Sequence, residues 1–314
     1  MHRVVLALLL GCLAAGPAAG QETYDLTEQG WEARPAPEPG SPAARLQAAR
    51  RALADEDADR AIALAGEWLE AYPAHPLVPE ALLLRGDARV ADGRYYQALF
   101  DYEQLVGRYP ASELFLPTLE RELRLAELYL DGDVRRRLLG VPIFPLDGEA
   151  EELLIRIQER APGSDVGQRA LLRLGDYYYD ENEMGLAAQA YDLFLQNYPR
   201  SEHREWAMLR LIQASLARFR GPRFDPTGLV DARQRLVEYQ EQFPAAAEQI
   251  GADALMRSIG QSMARRDLLL ARWYDRRGER VSAVALYRRL VAEHADTASA
   301  AEALRRLREL GERP

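Results

Sequence analysis

The chain has 314 residues, with 40 basic and 49 acidic side chains and a formal net charge of −9. Every one of the 40 is arginine, and Asn182 and Asn197 are the only asparagines, the mark of a GC-rich coding sequence more than of an arginine code. A net acidic chain argues against general nucleic-acid binding, which needs a basic surface to neutralise phosphates, and this length permits either one large core or an extended array.

The first twenty residues have the layout of an export signal. His2 and Arg3 form a short polar start, Val4 to Leu10 is apolar, and Ala18-Ala19-Gly20 offers small residues for cleavage before Gln21. Leu9-Leu10-Gly11-Cys12 also has the form of a bacterial lipobox, in which the cysteine becomes the acylated N-terminus of the mature chain. Only seven clearly apolar residues precede Gly11, and the small-residue character runs on to Gly20, which favours plain cleavage when the segment is read by itself. No later run approaches the ~18 apolar residues of a membrane span. Cys12 is the single cysteine, so the mature domain has no disulfide framework.

Residues 21–42 carry Pro35, Pro37, Pro39 and Pro42 among four glutamates and read as a disordered tether. From Ala43 the texture changes to alanine, leucine, arginine and glutamate at helical spacing, and no strand is expected anywhere. An aromatic-proline step then recurs at Tyr72-Pro73, Tyr109-Pro110, Tyr198-Pro199 and Phe243-Pro244, with weaker forms at Ala161-Pro162 and His294-Ala295. Proline cannot continue a helix, so each step marks the end of the second helix of a pair.

Within that period the tetratricopeptide pattern is visible. Gly86, Ala98 and Tyr102 in one unit, Gly175, Ala187 and Tyr191 in another, and Ala271, Ala283 and Tyr287 in a third stand at identical offsets. A small residue on each helix lets the pair approach closely, and the aromatic fills the gap to the next pair. Ala61, Ala150 and Ala232 hold the second-helix position in three looser units. The fold class expected is therefore all-α, a tetratricopeptide-like superhelix over 43–314, with pairs at 43–72, 78–109, 114–161, 165–198, 202–243 and 247–294 and a closing helix at about 297–311. Two Pro/Gly-bearing insertions, 131–148 and 219–228, interrupt the third and fifth pairs. Val141, Ile143, Phe144 and Leu146 beside Arg135-Arg136-Arg137 give the first the character of a contact or a folded-back plug.

The half from about 165 to 305 resembles a known family. "VGQRALLRLGDYYYDENEMGLAAQAYDLFLQNYPRSEH", "DPTGLVDARQRLVEYQEQFP" and "RRDLLLARWYDRRGERVSAVALYRRLVAEHADTASAAEAL" follow one another in the order of the BamD (YfiO) outer-membrane assembly lipoproteins. Two departures are visible: His294-Ala295-Asp296-Thr297 replaces the expected Tyr-Pro-Asp-Thr, and the array carries about one extra N-terminal unit. The resemblance implies a non-catalytic scaffold on the periplasmic face of the outer membrane. It would bind the barrel-assembly machinery and hold extended segments of unfolded barrel substrates. It also implies a lipid anchor at Cys12, which brings the two readings of the signal to near parity. A different periplasmic tetratricopeptide adaptor, of the Tol–Pal or envelope-maintenance type, is the alternative; proline in place of heptads at 21–42 counts against it.

Catalytic chemistry finds no support in the residues. The histidines are His2, His75, His203 and His294, and there is no HExxH, no histidine pair at ligand spacing and no CxxC, so neither a metal site nor a cofactor is expected. Nucleophile elbows and phosphate loops are likewise missing. The candidates are binding surfaces. Arg169, Leu172, Asp176 and Tyr179 fall on the face that lines the inner groove of such arrays, and a tyrosine offers wide apolar area with one polar tip. Tyr178 falls in the packing slot. By the repeat's own offsets Arg265, Arg272 and Arg276 share the groove-lining face of the last pair, where bidentate pairing would suit an acidic periplasmic partner, with anionic lipid headgroups as the competing one.

Overall fold

In the computed structural model of the chain, residues 24–27, 30–33, 37–131, 136–138, 141–144 and 147–313 are described. Two compact units divide at Asp101 and Tyr102. The described residues form fourteen helices and four short strands, and the helices carry the tetratricopeptide-like packing.

The first unit contains α1 (Pro42–Ala54), α2 (Ala58–Ala71), α3 (Val78–Ala91) and the start of α4 (Tyr95–Arg108). Ser41 caps α1 by accepting from the Ala44 N–H at 3.2 Å, and Asp57 caps α2 by accepting from the Arg60 N–H at 3.1 Å. Trp68 is buried between them, with its indole N–H donating 2.7 Å to the Pro42 carbonyl. Asp101 is fully buried on α4. It accepts from Arg85 on α3 at 2.6, 3.1 and 3.1 Å and from Arg89 at 2.6 Å.

The second unit holds the rest of α4, then α5 (Phe115–Leu130), α6 (Asp147–Arg160), α7 (Asp165–Asp180), α8 (Met184–Asn197), α9 (Arg204–Ala217) and α10 (Thr227–Gln242). A short α11 (Pro244–Gln249) precedes the long α12 (Ala252–Arg276), and α13 (Arg280–Glu293) and α14 (Ala298–Glu309) close the chain. In the first unit α1 packs on α2 and α2 on α3; in the second, consecutive helices from α5 to α14 pack on one another, and α12 also meets α14. The expected start of the sixth pair at 247 is corrected. Pro244 opens a separate turn of helix, and Gly251, at φ 66°, breaks it from α12.

Four helix pairs are joined by three-residue turns whose middle residue is left-handed: Glu56, Gly93, Asn182 and Gly278, with φ between 61° and 76°. Glycine and asparagine suit that conformation; Glu56 adopts it at a cost. The small residues of the repeat, from Ala98 to Ala283, lie in the interior, as do Gly86 and Gly175, and Tyr102, Tyr191 and Tyr287 are almost wholly buried. Each such aromatic contributes about 2–3 kcal/mol through its buried area.

The expectation of no strands is corrected by two antiparallel ribbons, described through their backbone. β1 (Tyr24–Thr27) pairs with β2 (Gly30–Ala33), with Thr27 opposite Gly30, inside the segment read as a tether. β3 (Arg136–Leu138) pairs with β4 (Val141–Phe144) inside the first insertion. Tyrosine, threonine, tryptophan, valine and isoleucine are strand formers. The proline count of 35–42 hid the first ribbon. The signal segment with Cys12, and the side chains of Val141, Ile143, Phe144 and Leu146, lie outside the described residues.

Candidate functional site

The groove residues sit on α7. Ser164 starts that helix by accepting from the Gly167 N–H at 3.0 Å. Tyr178 turns inward, its hydroxyl donating 2.7 Å to Glu151 on α6. Asp176 accepts from the Tyr191 hydroxyl at 2.7 Å. Partial burial raises the Asp176 carboxyl above the usual carboxylate range, against the pull of the Tyr191 hydrogen bond and the Arg210 charge. Tyr179 carries the Arg210 guanidinium over its ring, 4.6 Å from the centroid. Arg210 lies 5.2 Å from the Trp206 ring as well, and Trp206 meets Tyr191 edge-on at 5.8 Å.

Asp176 and Tyr179 are thus brought together through Arg210 and Trp206 of α9, which the sequence reading missed. Those two residues lie in the loosely matching fifth pair, where no repeat offset marks them. Arg169 stands apart: it is engaged by Glu120 of α5 and, at 3.0 Å, by Asp165. Leu172 is half-buried on the same helix. The cluster offers a tilted aromatic surface with one cation and one carboxylate, suited to an extended peptide.

The predicted docking arginines are distributed over two neighbouring cavities. The larger, about 640 Å³, is walled by Arg265, Leu268 and Arg272 of α12, by Arg220, Arg223 and Phe224 of the second insertion, and by the start of α14. The smaller, about 380 Å³, contains Arg276; Arg272 and Glu302 line both. Their charges differ in kind. In the smaller cavity Asp275 is held below the usual carboxylate range by Arg306, whose guanidinium donates to it at 2.6 and 3.1 Å, and Tyr287 adds a donor at 3.2 Å. Arg272 is taken by Glu302. In the larger cavity Arg220, Arg223 and Arg265 have no ion pair among the described residues, and Phe224 is exposed. The insertion residues Arg220, Arg223 and Phe224 were not singled out from sequence, because a Pro/Gly loop has no periodicity to place it against α12.

Helix pairs with these offsets and buried small residues make this a tetratricopeptide-repeat protein, and the tetratricopeptide-repeat signature itself matches residues 80–112. The family model described as outer membrane lipoprotein (YfiO) matches residues 148–313, more than half of the chain, and the chain belongs to that family. The match begins at α6, earlier than the resemblance at 165. The outer membrane protein assembly factor BamD of Caulobacter vibrioides (strain ATCC 19089 / CIP 103742 / CB 15) is 21% identical over 159 residues, which is 51% of this chain and 52% of that protein. The chain therefore spans about half the length of this curated relative.

Looser likenesses occur among solved structures. The C-terminal part of a TPR repeat-containing protein from Cytophaga hutchinsonii is 14% identical with a TM-score of 0.39, covering 85% of this chain and 89% of that one. The type IV pilus biogenesis factor PilW is 16% identical at a TM-score of 0.31, covering 84% and 98%. The apo form of RapI is 12% identical at 0.39, covering 86% and 76%. No described helix is long and apolar enough to cross a membrane.

Proposed function

We propose that this protein is a non-catalytic scaffold of outer-membrane protein assembly, held at the periplasmic face of the outer membrane through a lipid on Cys12. The last two helix pairs bind an acidic surface of an assembly partner in the larger cavity, and the α7–α9 cluster receives an extended peptide. Family membership supports the class of role. The observation that carries the docking reading is the cavity itself: three arginines with no ion pair among the described residues beside Phe224 and Leu268, on a protein whose net charge is −9. Such a local reversal of sign steers an acidic partner and fixes its orientation. Phe224 gives that partner an apolar anchor within the basic rim.

Crosslinking in outer-membrane fractions, followed by identification of the captured proteins, tests this function. A barrel-assembly component is the expected partner. Capture of a peptidoglycan- or Tol-associated protein in its place overturns the reading. The intact mass of the mature N-terminus decides the anchor: an acylated Cys12, or a bare Gln21.

A further inference from the structure

The last helix pair departs from the others at two positions linked by the repeat. Four residues before the small residue of the first helix stand Leu82 in the second pair and Leu171 in the fourth, both buried. The step that ends the second helix brings Tyr109 and Tyr198 to the corresponding positions. In the sixth pair, where Ala271 is the small residue, the same two positions are Asp267 and His294, only 8% and 9% exposed. An apolar side chain and an aromatic have been exchanged together for a carboxylate and an imidazole. Asp267 has arginine partners on one oxygen only, and a buried imidazole without any partner is unfavourable, so the joint exchange points to something that both groups hold.

The geometry brings in a third donor. Asp267 of α12, Glu293 at the end of α13 and His294 at its C-cap each place a ligand atom within 4.8 Å of the other two. The His294 ring makes no hydrogen bond among the described residues. Its backbone is fixed: the N–H donates to the Leu290 carbonyl at 3.0 Å, and its carbonyl accepts from the Thr297 N–H at 3.0 Å and hydroxyl at 2.8 Å. One oxygen of Asp267, Oδ1, faces Arg266 at 3.2 Å and Arg289 at 3.7 Å, which leaves Oδ2 for another ligand.

We propose that Asp267, Glu293 and His294 form a binding site for a divalent first-row transition-metal ion of the Zn²⁺ type. One imidazole nitrogen and two carboxylate oxygens are a donor set for such an ion, with water in the remaining position. Bonds of about 2.0–2.2 Å require the three groups to draw together by about an ångström, and the exposed Glu293 has the freedom to do so. Arg266 and Arg289 raise the local positive charge, and they also orient the Asp267 carboxylate as outer-shell partners do. Bound there, the ion would tie the end of α13, and through Thr297 the start of α14, to α12. This reading is independent of the scaffold role, and the chain distance between 267 and 294 explains why ligand spacing in the sequence did not reveal it.

The test uses the tag-free full chain after chelator treatment, titrated with Zn²⁺ by calorimetry and with Co²⁺ by visible absorption. One equivalent should bind, the melting temperature should rise with Zn²⁺, and EDTA should reverse the rise. The double variant Asp267→Leu/His294→Tyr restores the residues found at 171 and 198, so it should keep its helical circular dichroism and lose the equivalent. Glu293→Gln changes an exposed side chain and should weaken binding roughly tenfold or more with the fold intact. A wild-type chain that takes up no Zn²⁺, or an affinity unchanged in both variants, overturns the site.

Discussion

Tyr191 lies so close across Gly175 that a β-carbon at 175 would sit 2.7 Å from the tyrosine Cε1. The Tyr191 hydroxyl at the same time donates 2.7 Å to Asp176, one residue further along α7. The sixth pair meets the same packing problem differently. There Tyr287 donates to Asp275, a turn beyond the small residue, and the small residue is Ala271. Alanine at the small position thus goes with a tyrosine whose hydroxyl reaches a full turn beyond it, glycine with one whose hydroxyl reaches the very next residue. Gly175→Ala should lower stability by about 1–3 kcal/mol through overpacking, despite the better helix propensity of alanine. Tyr191→Phe should cost about 1 kcal/mol by leaving Asp176 without its donor. Urea denaturation of each variant measures both effects, and a neutral Gly175→Ala would contradict the packing account.

Much of the fold was legible because the tetratricopeptide unit is periodic at two levels, helical spacing and the aromatic-proline step. The second, fourth and sixth pairs could be placed from Gly86, Gly175 and Ala271. What the periodicity could not show is contact between pairs. Arg210 reaches Tyr179 from the next pair, and Arg220 and Arg223 reach the α12 cavity from a loop. The sequence likewise showed Arg265, Arg272 and Arg276 as one stripe, while Glu302, the acid that engages Arg272, becomes apparent only when α14 is in place.

In the first unit, Asp101 is the acceptor for two arginines of α3 and is fully buried. Burial depresses the Arg89 guanidinium, and the Asp101 charge opposes that depression. Removing the carboxylate leaves two cations facing an uncompensated interior. Asp101→Ala should therefore destabilise by about 3–5 kcal/mol. Replacing Arg85 and Arg89 as well, each by methionine, should recover part of that loss, since a well-packed apolar substitute avoids the desolvation penalty. A three-residue mutant cycle followed by thermal melting checks the coupling.

Glu122 of α5 is fully buried, and neither of its carboxylate oxygens has a hydrogen-bond partner among the described residues. Burial first, and the nearby Glu103 second, push its carboxyl up to about 8, against the charges of Arg160 and Arg156. Arg160 approaches it to 3.6 Å but donates at 2.6 Å to Glu103. An acid whose folded-state value lies above its unfolded one binds its proton more tightly when folded. Its stabilising contribution is complete below about 4.5, falls as pH rises from there, and is gone above about 8. Glu122→Gln removes this titration. The variant should gain stability relative to the wild type as pH rises between 5 and 8, and a difference that stays flat across that range would contradict the burial argument.

The two α12 cavities predict unequal responses to charge reversal. Arg276 lies where Arg306 and Asp275 already satisfy one another, and Arg272 is engaged by Glu302. Reversing Arg272 sets two acids face to face, so any loss of binding there mixes docking with local repulsion. Arg265 and the loop residues Arg220 and Arg223 have no such internal partner among the described residues, and they line the larger cavity with Phe224. Arg265→Glu, and separately the pair Arg220→Glu/Arg223→Glu, should leave melting within about 0.5 kcal/mol of wild type because these are surface changes. Each should slow partner association roughly tenfold at low salt, with the difference shrinking as salt screens the long-range attraction. Arg276→Glu should have the smallest effect on association. Surface plasmon resonance against the captured assembly partner, run at two salt concentrations, separates the cases. Equal losses at Arg265 and Arg276 would show that the partner spans both cavities and not the larger one alone.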